Sequence, residues 1–342
     1  MSNLLNRTTK LPVYKEATGI KYPFMEEYTK VLMNMFWKFD SVDLGEDVKH
    51  YQQAQIDEKT FIEQLMKLFT QNEVVVTSGY VKMANIFKPN EVVNWCLYAA
   101  GTEVTHEMAY SLFTETIGLP DTTYTDFLDV NVMSTKTTYL DKAKVRKFEE
   151  YKAMGLSDAE ADRTYRRAVA AMLALYGGGA ELVSLYAQFA MLMAFQLQGK
   201  YPGLCTIVEY SVRDEYTHGI GNCHLFRQYI LENQDIWDDT LKFEIYEGMR
   251  ELVAYEEALI DYLNPPHVDA NDCKLYVRFR ADQALKELGM KPNYHVESHN
   301  FDFMEALTGK VLTDFFSGKV TAYSRKMLGS RADLRAKLKA KL

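Results

Sequence analysis

Apolar residues recur at helical spacing through four stretches, Phe61 to Phe69, Val92 to Phe113, Val169 to Phe195 and Trp237 to Leu263, while alternation with a period of two is hard to find. The pattern predicts long helices and no strand-rich domain. Breaks fall where proline and glycine collect, at Lys88-Pro89, Gly118-Leu119-Pro120, Tyr201-Pro202-Gly203 and Pro265-Pro266. Helix starts are predicted at Ser157-Asp158 with Glu160, at Pro89-Asn90-Glu91 and across Asn233 to Asp235, each offering a cap or an acidic first turn. The segment from Ala168 to Gly199 looks at first like a membrane span. Gly177-Gly178-Gly179, Glu181, Gln188 and Gln196 interrupt it, so it reads as a buried core helix preceded by a glycine-rich break. The last residues, RADLRAKLKAKL, place Leu334, Leu338 and Leu342 on one stripe of a basic amphipathic tail, or of a solvated terminus.

Composition narrows the function classes. An apolar content of 47% over 342 residues is enough to bury a large core. A formal charge of -8 argues against nucleic-acid binding, which needs clustered Lys and Arg. Cys96, Cys205, Cys223 and Cys273 are widely spaced and read as reduced core residues. The start of the chain, MSNLLNRTTKLPVY, carries no export pattern, and a cytoplasmic location follows as the expectation.

The chemistry sits in isolated glutamates. Glu73 is the only charge between Lys67 and Lys82, Glu181 the only one between Arg167 and Lys200, and none lies between Glu91 and Glu103. A charge in a core helix is costly unless it is paired or binds a metal. Of seven histidines, two follow a glutamate by three residues, in Glu103-Val-Thr-His106 and Glu215-Tyr-Thr-His218. That spacing puts both side chains on one helix face. A chain of this composition contains roughly one such pair by chance. Two pairs, both within apolar helix and joined by two lone glutamates from other helices, describe the carboxylate-rich di-metal site of a four-helix bundle. Surface pairs or satisfied core histidines are the rival reading. Carboxylates with one imidazole per ion suit iron or manganese, and hence oxygen or radical chemistry.

These residues resemble the small subunit of class I ribonucleotide reductase, over roughly Tyr22 to Tyr323. The resemblance lies in Glu103, His106 and Tyr110 on one helix, in the run Arg213-Asp214-Glu215-Tyr216-Thr217-His218, and in Glu181 within AELVSLYAQFAML. It implies an all-α, ferritin-like helical bundle over residues 1–328, with residues 1–20 an N-terminal extension, ahead of the basic tail 329–342. It implies Glu73, Glu103, His106, Glu181, Glu215 and His218 as metal ligands, with Tyr110 as the radical tyrosine. Glu73 departs from the family, which usually has an aspartate there. The resemblance further implies radical transfer through Asp214 and Trp37, and through Tyr323 in DFFSGKVTAYSRK. The tail is a second departure, since family tails run acidic and this one ends LKAKL. Taken alone, Tyr110 and Trp37 read as core aromatics and Asp214 as an ion-pair partner of Arg213.

The implied function is to generate a tyrosyl radical at a dinuclear centre and pass it to a large subunit that reduces ribonucleotides. The implied cofactor is a pair of iron ions, with manganese or a mixed pair as alternatives. The implied partners are the large subunit, a second copy in a homodimer and, for manganese, a flavoprotein activator, with neither nucleic acid nor membrane. The rival functions are a stand-alone di-metal oxidase acting on a small apolar substrate and a metal store.

Overall fold

The computed structural model describes residues 3–7, 9–15, 19–139 and 145–317, with the side chains of 137, 138 and 310–317 left out of account. The tail after Ser317, and with it Tyr323 and the 329–342 segment, lies outside the described residues. Among the described residues thirteen α-helices follow one another: α1 Pro23–Met35, α2 Gly45–Gln53, α3 Ile56–Ile86, α4 Asn90–Thr116, α5 Thr123–Asp126, α6 Asn131–Tyr139, α7 Phe148–Ala153, α8 Asp158–Leu173, α9 Tyr186–Leu197, α10 Pro202–Glu232, α11 Asp239–Leu263, α12 Ala270–Glu287 and α13 Asp302–Ser317. Among the described residues no strand forms, and an isolated bridge joins Asn3 and Asn6. The long helices expected from the apolar periodicity form, and they pack as the helical bundle that the resemblance implied.

The long helix α10 runs through the centre and packs on α1, α2, α4, α8, α9, α12 and α13, while α3 and α4 lie against each other. The start of α10 is set from outside. Asp47 of α2 accepts hydrogen bonds from the backbone N–H of Gly203 (2.9 Å) and Leu204 (2.8 Å), placing a buried carboxylate on the positive end of the helix. Only glycine fits at 203, because a Cβ there would stand 2.6 Å from the Asp43 carbonyl oxygen. Ser157 and Glu160 form a reciprocal capping box on α8, as their spacing predicts. At α11 the prediction is off by a few residues. The cap is Asp238, bonded to the Leu241 N–H, while Asp235 sits in a short 3-10 turn and pairs with Arg166.

The expected single core helix with a break before it is rearranged. Residues Ala174–Ala180, which include the three glycines, continue α8 as a wider π-helical turn. The chain breaks later, where Leu185 takes a left-handed conformation (φ 71°). The glycines serve close approach, since a Cβ at Gly177 would lie 2.6 Å from the Asn222 Cβ of α10. On either side of the break, Ser184 and Gln188 donate to buried Glu256 of α11, which also pairs with buried Lys136 of α6 at 2.8 Å. No helix among the described residues is long and apolar enough to cross a membrane. All four cysteines are buried and free.

Candidate metal centre

Four segments bring the predicted ligands together. Glu73 comes from α3, Glu103 and His106 from α4, Glu181 from the exit of the π-helical turn, and Glu215 and His218 from α10. All six are buried. They form two overlapping groups, Glu73, Glu103, His106 and Glu215 in one, and Glu103, Glu181, Glu215 and His218 in the other. Glu103 and Glu215 belong to both, and each divides its two oxygens. Glu103 Oε2 lies 3.1 Å from His106 Nδ1 and its Oε1 2.8 Å from His218 Nδ1. Glu215 Oε1 lies 3.2 Å from His106 Nδ1 and its Oε2 3.3 Å from His218 Nδ1. Glu73 approaches His106 Nδ1 to 3.9 Å and Glu181 approaches His218 Nδ1 to 3.6 Å, closing the two ends. Glu73, despite its departure from the family's aspartate, reaches the cluster.

The far nitrogens of the two imidazoles settle which nitrogen faces inward. His106 Nε2 lies 3.1 Å from Asp214 Oδ2, a carboxylate oxygen that can only accept, so Nε2 carries the proton. His218 Nε2 lies 2.9 Å from Thr102 Oγ1, whose own hydrogen goes to the Ala99 carbonyl at 2.7 Å. The threonine therefore accepts from Nε2–H. With a neutral ring, each Nδ1 lone pair is left facing carboxylate oxygens.

Without a cation this arrangement is electrostatically poor. Burial, with Glu215 next in weight, pushes Glu181 up to about 8. Burial, with Glu215 and Glu103 beside it, also raises Glu73 well above the carboxylate range. Burial acts in the same direction on Glu103 and Glu215, but the two histidines hold both below their usual value. His106 and His218 are driven well up against their own burial, by Asp214 and Glu103 at the first and by Glu103 at the second. Glu73 Oε1 and Glu181 Oε1 are buried without a hydrogen-bond partner. Four carboxylates match the charge of two divalent ions, and the two inward lone pairs supply one nitrogen donor to each. The donor set fits a buried pair of metal ions.

One family model, for the ribonucleotide reductase small chain, matches residues 16–301. The chain belongs to that family. It is the small subunit of a ribonucleoside-diphosphate reductase, as the resemblance implied. It is 27% identical over 337 residues, 95% of its own length and 86% of the relative's, to a probable ribonucleoside-diphosphate reductase small subunit of Invertebrate iridescent virus 3. Among solved structures it is similar to a ribonucleotide reductase R2 subunit from Clostridium botulinum, with a TM-score of 0.76 and 19% identity, covering 90% of this chain and 94% of that one. It is similar also to a homodimeric ribonucleotide reductase protein from Saccharomyces cerevisiae, with a TM-score of 0.70 and 17% identity over 92% of each chain. The fold is thus the ferritin-like bundle of this reductase family.

Three further residues anticipated from the sequence join the centre. Trp37, just after α1, donates from Nε1 to Asp214 Oδ2 at 2.9 Å, the same oxygen that faces His106. The Trp37 ring stacks 5.9 Å from His106 and lies 5.2 Å from Tyr210. Asp214 therefore links Trp37 to His106 instead of pairing with its neighbour, and Arg213 Nε has no hydrogen-bond partner. Tyr110, fully buried one turn after His106, donates to Ser211 Oγ at 3.0 Å and lies 4.7 Å from the Phe69 ring. Sequence reasoning missed Thr102, Ser211, Tyr80 and Asn222. Ser211 and Asn222 stand four residues before Glu215 and four after His218 on α10, a periodic signal that points at a face and not at a role.

Proposed function

We propose that this reductase small subunit stores its oxidising equivalent as a radical on Tyr110 beside a pair of iron ions, with manganese or a mixed pair as the alternatives. Glu73, Glu103, His106, Glu181, Glu215 and His218 would hold the pair, Glu103 and Glu215 being the two shared by both groups. The observation that carries this reading is that both histidine Nδ1 atoms face both of those glutamates. Bound there, the pair supplies one-electron oxidising power drawn from dioxygen or a species derived from it.

The chain's own residues do the rest. Tyr110 gives up an electron and its phenolic proton, and Ser211 Oγ is the hydroxyl's hydrogen-bond partner. Phe69, with the fully buried surroundings of Tyr110, keeps water and reductants from the ring. Asp214 holds His106 and Trp37 on one oxygen, so that electron flow between the centre and the surface runs through a hydrogen-bonded line. Transfer continues to the large subunit, with Tyr323 proposed as the last carrier on this chain.

A second copy is proposed to pack on α4, where Leu97, Val104 and Met108 are exposed on one stripe with Gly101 open between them. If manganese is the metal, a flavoprotein activator joins the partners. The deciding experiment loads the full chain with iron(II), manganese(II) or both. Metal per chain is counted, and paramagnetic resonance is recorded on the native chain and on Tyr110→Phe after exposure to air or to an activating flavoprotein. Two ions per chain and a tyrosyl signal lost in Tyr110→Phe are expected, with CDP reduced once the large subunit is added. Two bound ions with no organic radical under any loading would overturn the reading.

A further inference from the structure

A second tyrosine stands at the other end of the cage. Tyr80 lies on α3 two turns beyond Glu73, fully buried, with its ring edge-on to His218 at 5.5 Å. Its hydroxyl accepts a hydrogen bond of 2.8 Å from Asn222 Nδ2. The amide cannot be turned round, because Asn222 Oδ1 takes the indole N–H of Trp95 at 3.0 Å. The Tyr80 hydroxyl therefore sends its own proton elsewhere, and the Glu181 carboxylate acts on the same hydroxyl. Glu181 Oε1 is buried without a hydrogen-bond partner of its own, so it is open to take that proton. Tyr80 has a metal ligand beside its ring, a base for its proton, and a neutral donor that stays bonded to its oxygen whether the ring is phenol or phenoxyl.

The electron count of the reaction leaves one electron to be given by a further group. Reduction of dioxygen to two waters takes four electrons, of which two metal ions rising from the +2 to the +3 state give two, and Tyr110 gives a third. We propose that Tyr80 is a second redox-active tyrosine of this chain and supplies the fourth electron from the His218 side. In that step one electron passes from Tyr80 to the oxidised metal pair and the phenolic proton passes to Glu181, leaving a neutral phenoxyl and a pair reduced by one electron. Dioxygen is the oxidant. The inference rests on the reading of Tyr110 as the stored radical, and its test separates the two.

The full chain is loaded with iron(II), mixed with dioxygen and frozen at successive times for paramagnetic resonance, in the native form and as Tyr110→Phe and Tyr110→Phe/Tyr80→Phe. Iron per chain is measured on each. A tyrosyl signal in Tyr110→Phe, narrowed when the tyrosines are β-deuterated and absent from the double variant, is the result expected. Because loss of a hydroxyl at 80 leaves the Asn222 amide unpartnered, 3-fluorotyrosine is also placed at position 80 in the Tyr110→Phe chain, where fluorine splitting of the signal should appear. A native signal that disappears in Tyr110→Phe with nothing in its place, or a residual signal without fluorine splitting, would overturn the role of Tyr80 and leave that of Tyr110 standing. A native chain silent with iron and dioxygen would overturn the Tyr80 step. If it were silent with manganese as well, the Tyr110 reading would fall too.

Discussion

One oxygen atom of Asp214 carries two hydrogen bonds, from Trp37 Nε1 and His106 Nε2, and this double duty makes the residue sensitive to a change of a single atom. An amide at that position presents one acceptor and one donor. Its oxygen can still accept from both donors, but without the carboxylate's charge both bonds weaken from charge-assisted to neutral ones. We expect Asp214→Asn to keep two ions per chain and its Tyr110 signal, and to lose nucleotide reduction with the large subunit by about 10–100-fold, the usual cost of removing a partner behind a metal-bound histidine. The measurement is radical yield by paramagnetic resonance beside CDP turnover. A parallel fall of metal content, radical and turnover would show that Asp214 merely holds the fold. Thr102 stands in the corresponding place at His218, where its hydroxyl accepts from Nε2–H and donates to the Ala99 carbonyl, so this partner joins the histidine to no tryptophan. The lone glutamates and the paired Glu-x-x-His runs announced the ligands because each is a charge in apolar helix. Nothing comparable marks Thr102 or Ser211, which are small polar residues of a kind that helices carry for many reasons.

At the scale of the element, the sequence pattern placed the long helices well and their irregularities poorly. Ser157 with Glu160 marks its own helix start because a capping box is closed by residues three apart. The three glycines at 177 to 179 were expected to break the chain, and they sit instead in a π-helical turn that stays continuous with α8. What keeps them helical is the surface they meet, for α10 lies too close at Gly177 to admit a side chain. Gly177→Ala would press a methyl against Asn222 and is expected to lower stability by about 1–3 kcal/mol, the range for overpacking a filled core. Calorimetry of the metal-free chain would read this as a lower unfolding midpoint. An unchanged midpoint would show that the turn can move away from α10. The break at Leu185 is stabilised from outside its own segment, by the Lys136–Glu256 pair and the hydrogen bonds of Ser184 and Gln188, and those partners come from α6 and α11.

For the whole molecule, the dominant electrostatic fact is a cluster of four buried glutamates with two histidines. In the metal-free protein Glu181 titrates at about 8 instead of near 4.5, so between those values the folded state binds more protons than the unfolded one, and stability falls as pH rises through that window. The raised histidines act in the same direction, since their contribution is complete below the unfolded value near 6.5 and is lost as pH rises through their folded values. Glu103 and Glu215, held low, contribute stability above 4.5 that is lost at more acid pH. The unfolding midpoint of the metal-free chain is therefore expected to fall between pH 6 and 9, and that of the loaded chain to stay level, because the ions take the place of the protons. Parallel curves for the two forms would place the ions elsewhere. The exposed stripe of Leu97, Val104 and Met108 leads to a second expectation at this scale. The native chain should sediment as a dimer and Val104→Glu should shift it toward monomer with its metal content intact; a native monomer would remove that face as an interface.

The sequence by itself determined the helical class, the six residues of the buried cluster, and the resemblance through which Tyr110, Trp37 and Asp214 stood out, because a buried charge must have a partner and helical spacing says which charges share a face. Only the tertiary structure decided that Glu103 and Glu215 each face both histidines, and that one oxygen of Asp214 joins Trp37 to His106. It alone decided that Tyr80 meets Asn222 beside His218. Those relations run between segments far apart in the chain. Periodicity within a helix fixes the direction of a side chain, but the packing of one helix on another decides what that side chain meets.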